Sequence, residues 1–215
     1  LYFKSTKLLL EKSLPMLSLI ESPRAMAFAI KGLLGYYKAT KSKEMLDLIS
    51  EMAQRLEFGY LAHQKDEHHW FEAKLTYANA VLPEALLLAA QATFNQKQQQ
   101  IAQESFTYLI KLLFEDQYFG VISNQTWYEP GMQKATNGQQ PIDVAYTILA
   151  LSSFYECTKL KTYLLQMKQA FDWYLGKNSL NQIVYNPVSG GCLDGIEAHG
   201  VNINQGAEST VTYLL

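Results

Sequence analysis

Three acidic residues recur near the starts of predicted helices, at a period of about 60 residues. They are Glu84, Asp143 and Glu208, and each follows a proline or glycine by one or two residues. Glycosidic cleavage requires two carboxyl groups, one protonated and one ionised. Because the helix macrodipole favours an anion in the first turn, these three suit a base, a nucleophile or a hydroxyl acceptor, or they only stabilise the helix start. Glu72 follows Trp70-Phe71, apolar neighbours that favour a protonated carboxyl, so we predict Glu72 as the acid and Asp143 or Glu208 as its catalytic partner.

Aromatic, amide and charged residues cluster in the long connections before these helices. Aromatic rings stack on the apolar faces of sugars, while amides and carboxylates bind sugar hydroxyls. The segment 186–209 is rich in glycine and asparagine and leads into an apolar helix, although an ordered connection between two helices is the alternative interpretation. The predicted carbohydrate-binding residues are Arg24, His69, Trp70, Tyr77, Asn79, Glu84, Trp127, Tyr128, Gln139, Gln140, Asp194, Asn202, Asn204 and Gln205.

The histidines and cysteines do not have the spacing of a metal site. His68 and His69 are adjacent, so on a helix their side chains diverge and cannot chelate one ion. Cys157 and Cys192 lack a CxxC partner, which argues against zinc and a disulfide framework and favours the reducing cytoplasm. We predict no metal and no cofactor. A sugar epimerase or isomerase using His69 or His199 as an acid–base group is a third functional hypothesis.

The composition indicates one globular domain spanning residues 1–215. The chain is 48% hydrophobic and 18% charged, with a formal net charge of -2. This balance provides neither the basic surface of a nucleic-acid-binding protein nor a polybasic membrane patch. The longest apolar runs contain proline or charged residues and are too short to span a bilayer, so nucleic acid and membrane are not predicted partners.

Apolar residues recur at helical spacing through most of the chain, and alternating β-branched runs are scarce. The pattern therefore predicts an all-α fold in which short connections close helical hairpins and long ones lie between hairpins. The predicted helices cover residues 3–18, 23–39, 43–62, 83–94, 97–113, 141–157, 160–176 and 205–215.

The helices form an internal repeat. Pro23, Pro83 and Pro141 each begin a helix rich in alanine and leucine, and Gly206 occupies the equivalent fourth position. Small residues allow close packing on several sides, as an inner helix requires, whereas the intervening helices are more amphipathic. The repeat predicts an α/α toroid of the six-hairpin glycosidase type, or the part of one made by about four hairpins, with a solenoid as the alternative. Four hairpins predict that the chain is a fragment of a longer toroid domain that includes a further N-terminal segment.

Several strings of sequence together resemble a known family. The chain is similar to the C-terminal half of the helical α/α-toroid domain associated with bacterial family 4 glycosyltransferases, found in mannan and related glycan metabolism. His68 departs from the pattern, since a second tryptophan is expected there. The strings are Ser22-Pro23-Arg24-Ala25-Met26-Ala27, Trp70-Phe71-Glu72, Leu75-Thr76-Tyr77-Ala78-Asn79-Ala80, Leu82-Pro83-Glu84-Ala85-Leu86, Gln139-Gln140-Pro141-Ile142-Asp143, Gly190-Gly191-Cys192-Leu193-Asp194-Gly195 and Asn202-Ile203-Asn204-Gln205-Gly206-Ala207-Glu208-Ser209-Thr210.

The resemblance implies a toroid fold and a carbohydrate ligand, and it implies a glycosyltransferase domain as partner. The leading functional prediction is an enzyme that acts on mannose- or glucose-type glycans through paired carboxylates. The alternative is a non-catalytic glycan-binding or accessory domain of a glycosyltransferase.

Overall fold

The computed structural model describes residues 2–114 and 118–215, with side chains described from residue 5 onward. Residues 115–117, within the long connection predicted over 114–140, lie outside the described residues. The elements are α1 (Tyr2–Leu17), α2 (Pro23–Thr40), α3 (Lys43–His63), α4 (Val81–Thr93), α5 (Gln96–Leu113), α6 (Pro141–Thr158), α7 (Thr162–Asp172), β1 (Gly195–Glu197), β2 (Gly200–Asn202) and α8 (Ala207–Leu214).

The helices from α2 onward form two layers. In the inner layer, α2 packs on α4, α4 on α6, and α6 on α8. In the outer layer, α3, α5 and α7 each pack against the inner helix that precedes them in the chain. Each inner–outer pair is therefore one helical hairpin, and successive hairpins lie side by side. This is the layering of the predicted partial toroid.

Composition explains why α4 is an inner helix. Three of its four alanines, Ala85, Ala89 and Ala90, are almost completely buried, as are most of its other residues. Small side chains let α2, α3, α5 and α6 approach its backbone on different sides. α2 and α6 begin at Pro23 and Pro141, as predicted, because proline fits the first helical turn without losing a hydrogen bond.

The core between the layers is aromatic. Phe106 of α5 stacks on Phe154 of α6, with ring centroids 4.0 Å apart. Trp173, which directly follows α7, is completely buried. Full burial of each large ring contributes roughly 2–3 kcal/mol of hydrophobic stabilisation, so these contacts hold adjacent hairpins together.

Two local features differ from the prediction. The predicted helix 160–176 ends at Asp172, because the chain turns through residues 173–176 to Gly176 at φ 100°. The antiparallel pair β1–β2 was not predicted, since three-residue strands are too short to show an alternating pattern.

The β1–β2 hairpin lies against the start of α6. Ile196 exchanges backbone hydrogen bonds of 3.0 and 2.9 Å with Gln139. Gly195 has φ 142°, and a β-carbon there would lie 2.2 Å from the Gln139 carbonyl oxygen. Glycine is therefore required at this close approach. In the part of the chain that the structure describes, no helix has the length and apolar character needed to cross a bilayer.

Candidate functional site

The beginnings of the inner helices bring together a group of polar and aromatic side chains that we call the inner-face cluster. It consists of Arg24 of α2, Tyr77 in the connection before α4, Asp143 and Tyr146 of α6, and Glu208 of α8. These residues are far apart in sequence. They meet because adjacent inner helices begin at the same end of the layer.

Asp143 is the buried acid of the cluster, with only 4% of its surface exposed. Its Oδ1 accepts a 2.6 Å hydrogen bond from the backbone N–H of Ala78. Its Oδ2 is buried without a hydrogen-bond partner among the described residues. Burial raises the pKa of Asp143 to about 7, against the opposing effects of the Ala78 hydrogen bond and the Arg24 charge. A carboxyl group with this pKa can hold or release a proton near neutral pH.

Glu208 is the exposed acid of the cluster. It lies in the first turn of α8, and its charge interacts with both Asp143 and Tyr146. The buried carboxyl group of Asp143 and the exposed carboxyl group of Glu208 therefore interact electrostatically. Different environments of this kind separate two acids into a proton donor and an ionised partner.

Glu72 is ion-paired, which contradicts the predicted apolar environment. Its Oε2 accepts a 2.7 Å hydrogen bond from Nη1 of Arg24. The direct neighbour of the Glu72 carboxyl group is therefore the Arg24 guanidinium group. Tertiary packing thus places a cation beside Glu72 and buries Asp143, whereas their predicted roles as acid and catalytic partner stay predictions.

Arg24 organises the connection before α4. Besides Glu72, it donates a 2.5 Å hydrogen bond to the carbonyl of Tyr77 and a 3.2 Å bond to Oδ1 of Asn79. Asn79 is buried and also exchanges hydrogen bonds with the backbone of Thr76. Arg24 and Asn79 thus position this connection through hydrogen bonds within the protein, and their predicted contacts with a ligand stay predictions.

Tyr77 is the cluster's exposed aromatic ring, with 50% of its surface accessible. The guanidinium carbon of Arg24 lies 4.9 Å from its ring centroid. This cation–π contact fixes one face of the ring at the edge of the cluster. Tyr77 therefore has the exposure that stacking on a sugar requires.

Glu84 lies along the inner layer and is only 3% exposed. Its carboxylate accepts hydrogen bonds from Lys31 of α2 at 2.6 Å and from Ser153 of α6 at 2.9 Å. The three side chains therefore connect three inner helices. Both carboxylate oxygens of Glu84 already have partners within the protein, and its predicted ligand contact stays a prediction.

Trp70 and Gln139 are part of the core, in contrast to the prediction. Trp70 has 0% exposure, so its ring cannot stack on a ligand. Gln139 is buried, accepts a 2.8 Å hydrogen bond from Trp173 and donates one of 2.8 Å to the carbonyl of Thr136. Gln140 is half-buried at the N-cap of α6.

Trp127 and Tyr128 lie next to the connection that carries Tyr77. Tyr128 and Leu75 exchange backbone hydrogen bonds of 2.9 and 3.1 Å, which joins the two loops. The ring of Trp127 is partly exposed, and the ammonium group of Lys74 lies 4.6 Å from its centroid. Trp127 thus presents a fixed aromatic surface near the inner-face cluster.

Many polar groups of the loop over residues 186–206 form hydrogen bonds with each other or with the start of α8. Asp194 accepts hydrogen bonds from Gly206 N–H at 2.8 Å, from Ser209 at 2.7 Å and from the amide of Asn204. Although desolvation opposes them, these bonds hold the pKa of Asp194 below its usual range. Asp194 therefore stabilises the start of α8. Its carboxylate already has partners within the protein, and its predicted ligand contact stays a prediction.

The other predicted residues of this loop are exposed. Asn202 accepts a 3.1 Å hydrogen bond from the backbone of Asn204, and Gln205 accepts a 2.5 Å bond from Ser189. Asn202, Asn204 and Gln205 thus lie at the surface. They precede Glu208 by a few residues in the sequence. They stay predicted ligand contacts.

The histidines lie away from the inner-face cluster. Nδ1 of His69 is 3.3 Å from the hydroxyl of Tyr60 on outer helix α3, whereas His199 is exposed in the turn of the β-hairpin. An epimerase would need two such groups facing one cleft. His69 lines the cavity beside α3 and α5, whereas His199 is not among the residues that line it. Among the described residues, no three histidine, cysteine or acidic side chains are grouped as a metal site would require.

Sequence reasoning missed Tyr146 of the cluster and three residues beside it, Phe28, Lys31 and Ser153. Phe28 and Lys31 follow Arg24 at helical spacing, and Tyr146 lies one turn after Asp143. The rings of Phe28 and Tyr146 approach to 5.3 Å. The same-face spacing was a signal that could have found them.

Comparison with known proteins bears on the fold. No family model matches the chain, and no curated protein is similar to it in sequence. Among solved structures, it is similar to an inactive variant of the GH76A α-1,6-mannanase of Salegentibacter sp. HEL1_6 in complex with α-1,6-mannotriose. The TM-score is 0.65 at 15% identity, covering 90% of this chain and 52% of the mannanase. The chain has the α/α-toroid fold.

Two further structures share this fold. The unsaturated glucuronyl hydrolase of Streptococcus agalactiae has a TM-score of 0.55 at 13% identity, covering 70% of this chain and 42% of the hydrolase. A sugar epimerase from a ruminal bacterium has a TM-score of 0.59 at 13% identity, covering 86% of this chain and 49% of the epimerase. The chain therefore spans about half the length of the structures it resembles.

Proposed function

We propose that the inner-face cluster binds a mannose- or glucose-type glycan and cleaves a glycosidic bond, with Asp143 as proton donor and Glu208 as ionised partner. The observation that carries this proposal is the pairing of a buried acid, whose pKa is about 7, with an exposed acid whose charge acts on it. We also propose that residues 1–215 are one unit of a longer toroid domain.

In the proposed reaction, protonated Asp143 donates its proton to the leaving glycosidic oxygen as the bond to the anomeric carbon breaks. The Glu208 carboxylate supplies the electron pair at the anomeric carbon, either directly or by taking a proton from an attacking water. In the direct route, Asp143 takes a proton back from the water that hydrolyses the glycosyl–Glu208 ester. In the water route, Glu208 releases the proton it took to solvent, and Asp143 takes up a proton from solvent. The exposed ring of Tyr77 provides a stacking surface for the sugar next to these acids.

The fold relatives support the choice of ligand. The mannanase variant holds α-1,6-mannotriose and is inactive after two consecutive aspartates were changed to asparagine. This chain has no two consecutive aspartates. Its proposed acid pair therefore comes from two helices, α6 and α8.

A non-catalytic glycan-binding domain that serves a family 4 glycosyltransferase is the second candidate. The observation that favours it is the internal use of Arg24, Asn79, Glu84 and Asp194, which leaves few polar groups for a reacting sugar.

The two cysteines are free thiols, in accord with the proposed cytoplasmic location.

Release of reducing sugar from a panel that includes α-1,6-mannotriose tests the proposal on the full-length gene product. Asp143→Asn and Glu208→Gln should each reduce release at least about 100-fold, since each removes one role of the acid pair. Glu156→Gln, an exposed change at the far end of α6, is the matched control. Binding of the glycan without release would favour the second candidate, and release unchanged in Asp143→Asn would overturn the catalytic proposal.

A further inference from the structure

A second concave site lies on the outer side of the molecule, away from the inner-face cluster. This outer groove is bounded by the C-terminal half of α5, the end of α3 and the connection after α3, and it has a cavity volume of about 1300 Å³. Tyr128, Pro130 and Gly131 close one edge. A cavity of this size is larger than a drug-sized ligand needs.

One wall of the outer groove holds a fixed hydrogen-bond acceptor. The buried hydroxyl of Tyr60 donates to Oε2 of Glu104 at 2.9 Å and lies 3.3 Å from Nδ1 of His69. Because the only hydroxyl proton of Tyr60 goes to Glu104, Nδ1 of His69 must be the donor in the second contact. Nε2 of neutral His69 is then an acceptor, and it has no hydrogen-bond partner among the described side chains and backbone.

The floor of the outer groove holds a second acceptor by the same reasoning. Nε2 of His68 lies 2.8 Å from the carbonyl of Glu72 and must donate to it. Nδ1 of His68 then accepts the proton of the Tyr108 hydroxyl at 3.1 Å. The hydroxyl oxygen of Tyr108 keeps a lone pair for a donor in the groove, and edge-to-face packing on His68 holds its ring in place.

The charges around the outer groove are mixed. Lys65 and Lys111 line it together with Asp66, Glu67 and Glu104. Interspersed opposite charges do not select an anionic or a cationic ligand. The groove therefore fits a neutral ligand that offers hydroxyl donors to fixed acceptors and an apolar face to the Tyr108 ring.

We propose that the outer groove is a second binding site for a neutral oligosaccharide, separate from the inner-face cluster. The two sites share the connection before α4: the Glu72 carboxylate binds Arg24 in the cluster, and the Glu72 carbonyl binds His68 under the groove. The groove's acceptors belong to α5 and to this connection, so its ligand binds whether or not the cluster is catalytic.

Calorimetric titration with α-1,6-mannotriose, followed by backbone amide NMR shifts, tests this site on the full chain. Two binding events are expected, one of which shifts amides around Tyr108. His69→Phe and Tyr108→Phe each remove one acceptor and should weaken that event about fivefold or more. Ala73→Trp fills the exposed edge of the groove without touching the network, and it should abolish the same event.

Asp143→Asn provides the matched control, because it alters the cluster and leaves the groove unchanged. The groove event should persist in this variant even where catalysis and cluster binding are lost, so the two proposals fail separately. Amide shifts confined to the inner-face cluster would overturn the second site. So would an outer event unaffected by both Tyr108→Phe and Ala73→Trp, provided that thermal unfolding shows both variants to be folded.

Discussion

Asp143, at the start of α6, accepts a 2.6 Å hydrogen bond from the backbone N–H of Ala78, in the turn before α4. Ala78 is buried and has φ 45°, a left-handed conformation that costs a non-glycine residue about 1 kcal/mol or more. The carboxyl group therefore stabilises a strained turn as well as belonging to the proposed acid pair. The neighbouring Tyr77 carbonyl is held by Arg24, so both sides of this turn are fixed.

Asp143 should make the free energy of unfolding decrease as the pH rises. Burial raises the pKa of Asp143 from 3.8 to about 7, so the folded state holds a proton that the unfolded chain has already released. This contribution is complete below about pH 4 and is lost as the pH rises through about 7. Its size is on the order of 4 kcal/mol. Urea unfolding of wild type and Asp143→Asn between pH 4 and 8 measures it.

The side-chain amide introduced by Asp143→Asn cannot ionise, so this variant provides the reference for all other titrating groups. The difference in unfolding free energy, wild type minus variant, should decrease with pH and level off above about pH 7. A difference that stays constant over this range would show that Asp143 does not hold its proton in the folded protein.

Arg24 should stabilise the protein through the forked arrangement of its three N–H donors as well as through its charge. Arg24→Lys keeps the charge but cannot reach Tyr77, Glu72 and Asn79 together, so we expect a loss of about 1–2 kcal/mol of unfolding free energy. Arg24→Ala should cost about 3 kcal/mol, because it leaves the Glu72 carboxylate unpaired. Denaturant unfolding checks both. Equal costs for the two variants would mean that the fork contributes nothing beyond the charge.

Trp70 and Tyr77 should separate stability from ligand binding. Trp70→Ala removes a completely buried ring and should cost about 3–5 kcal/mol of unfolding free energy, whereas Trp70→Phe should leave glycan affinity unchanged. Tyr77→Ala removes a half-exposed ring, so it should weaken glycan binding about tenfold with little effect on the unfolding midpoint. Calorimetric titration and thermal unfolding measure the two effects. Loss of affinity in Trp70→Phe would contradict this division.

Helix positions were predictable because their signals are local. Pro23 and Pro141 begin α2 and α6, and alanine-rich α4 is buried as an inner helix should be. The start of α4 was predicted at Pro83 but lies at Val81, because the backbone turn from Ala78 to Val81 adds two residues ahead of the proline. The recurrence of these helix starts also predicted that Asp143 and Glu208 would lie together.

The electrostatic roles were not predictable because they depend on contacts between distant residues. Glu72 follows two aromatic residues, yet its carboxylate faces Arg24, which is far away in sequence. Asp143 lies in a helical first turn, where the helix dipole favours its anion, yet packing removes it from water and raises its pKa. Tertiary packing therefore determines the electrostatic environment of each acid, and residues adjacent in sequence did not indicate it.

Removing Lys31 alone should destabilise the inner layer more than removing both partners of the Lys31–Glu84 ion pair. Lys31→Met leaves the buried Glu84 carboxylate with only the Ser153 hydroxyl, at a cost of about 3 kcal/mol of unfolding free energy. Ser153→Ala removes one neutral donor and should cost about 1 kcal/mol. The double change Lys31→Met with Glu84→Leu should recover most of the loss, because no unpaired charge remains buried. Urea unfolding at pH 7 compares the three variants, and a double variant no more stable than Lys31→Met would refute the ion pair as the source of the effect.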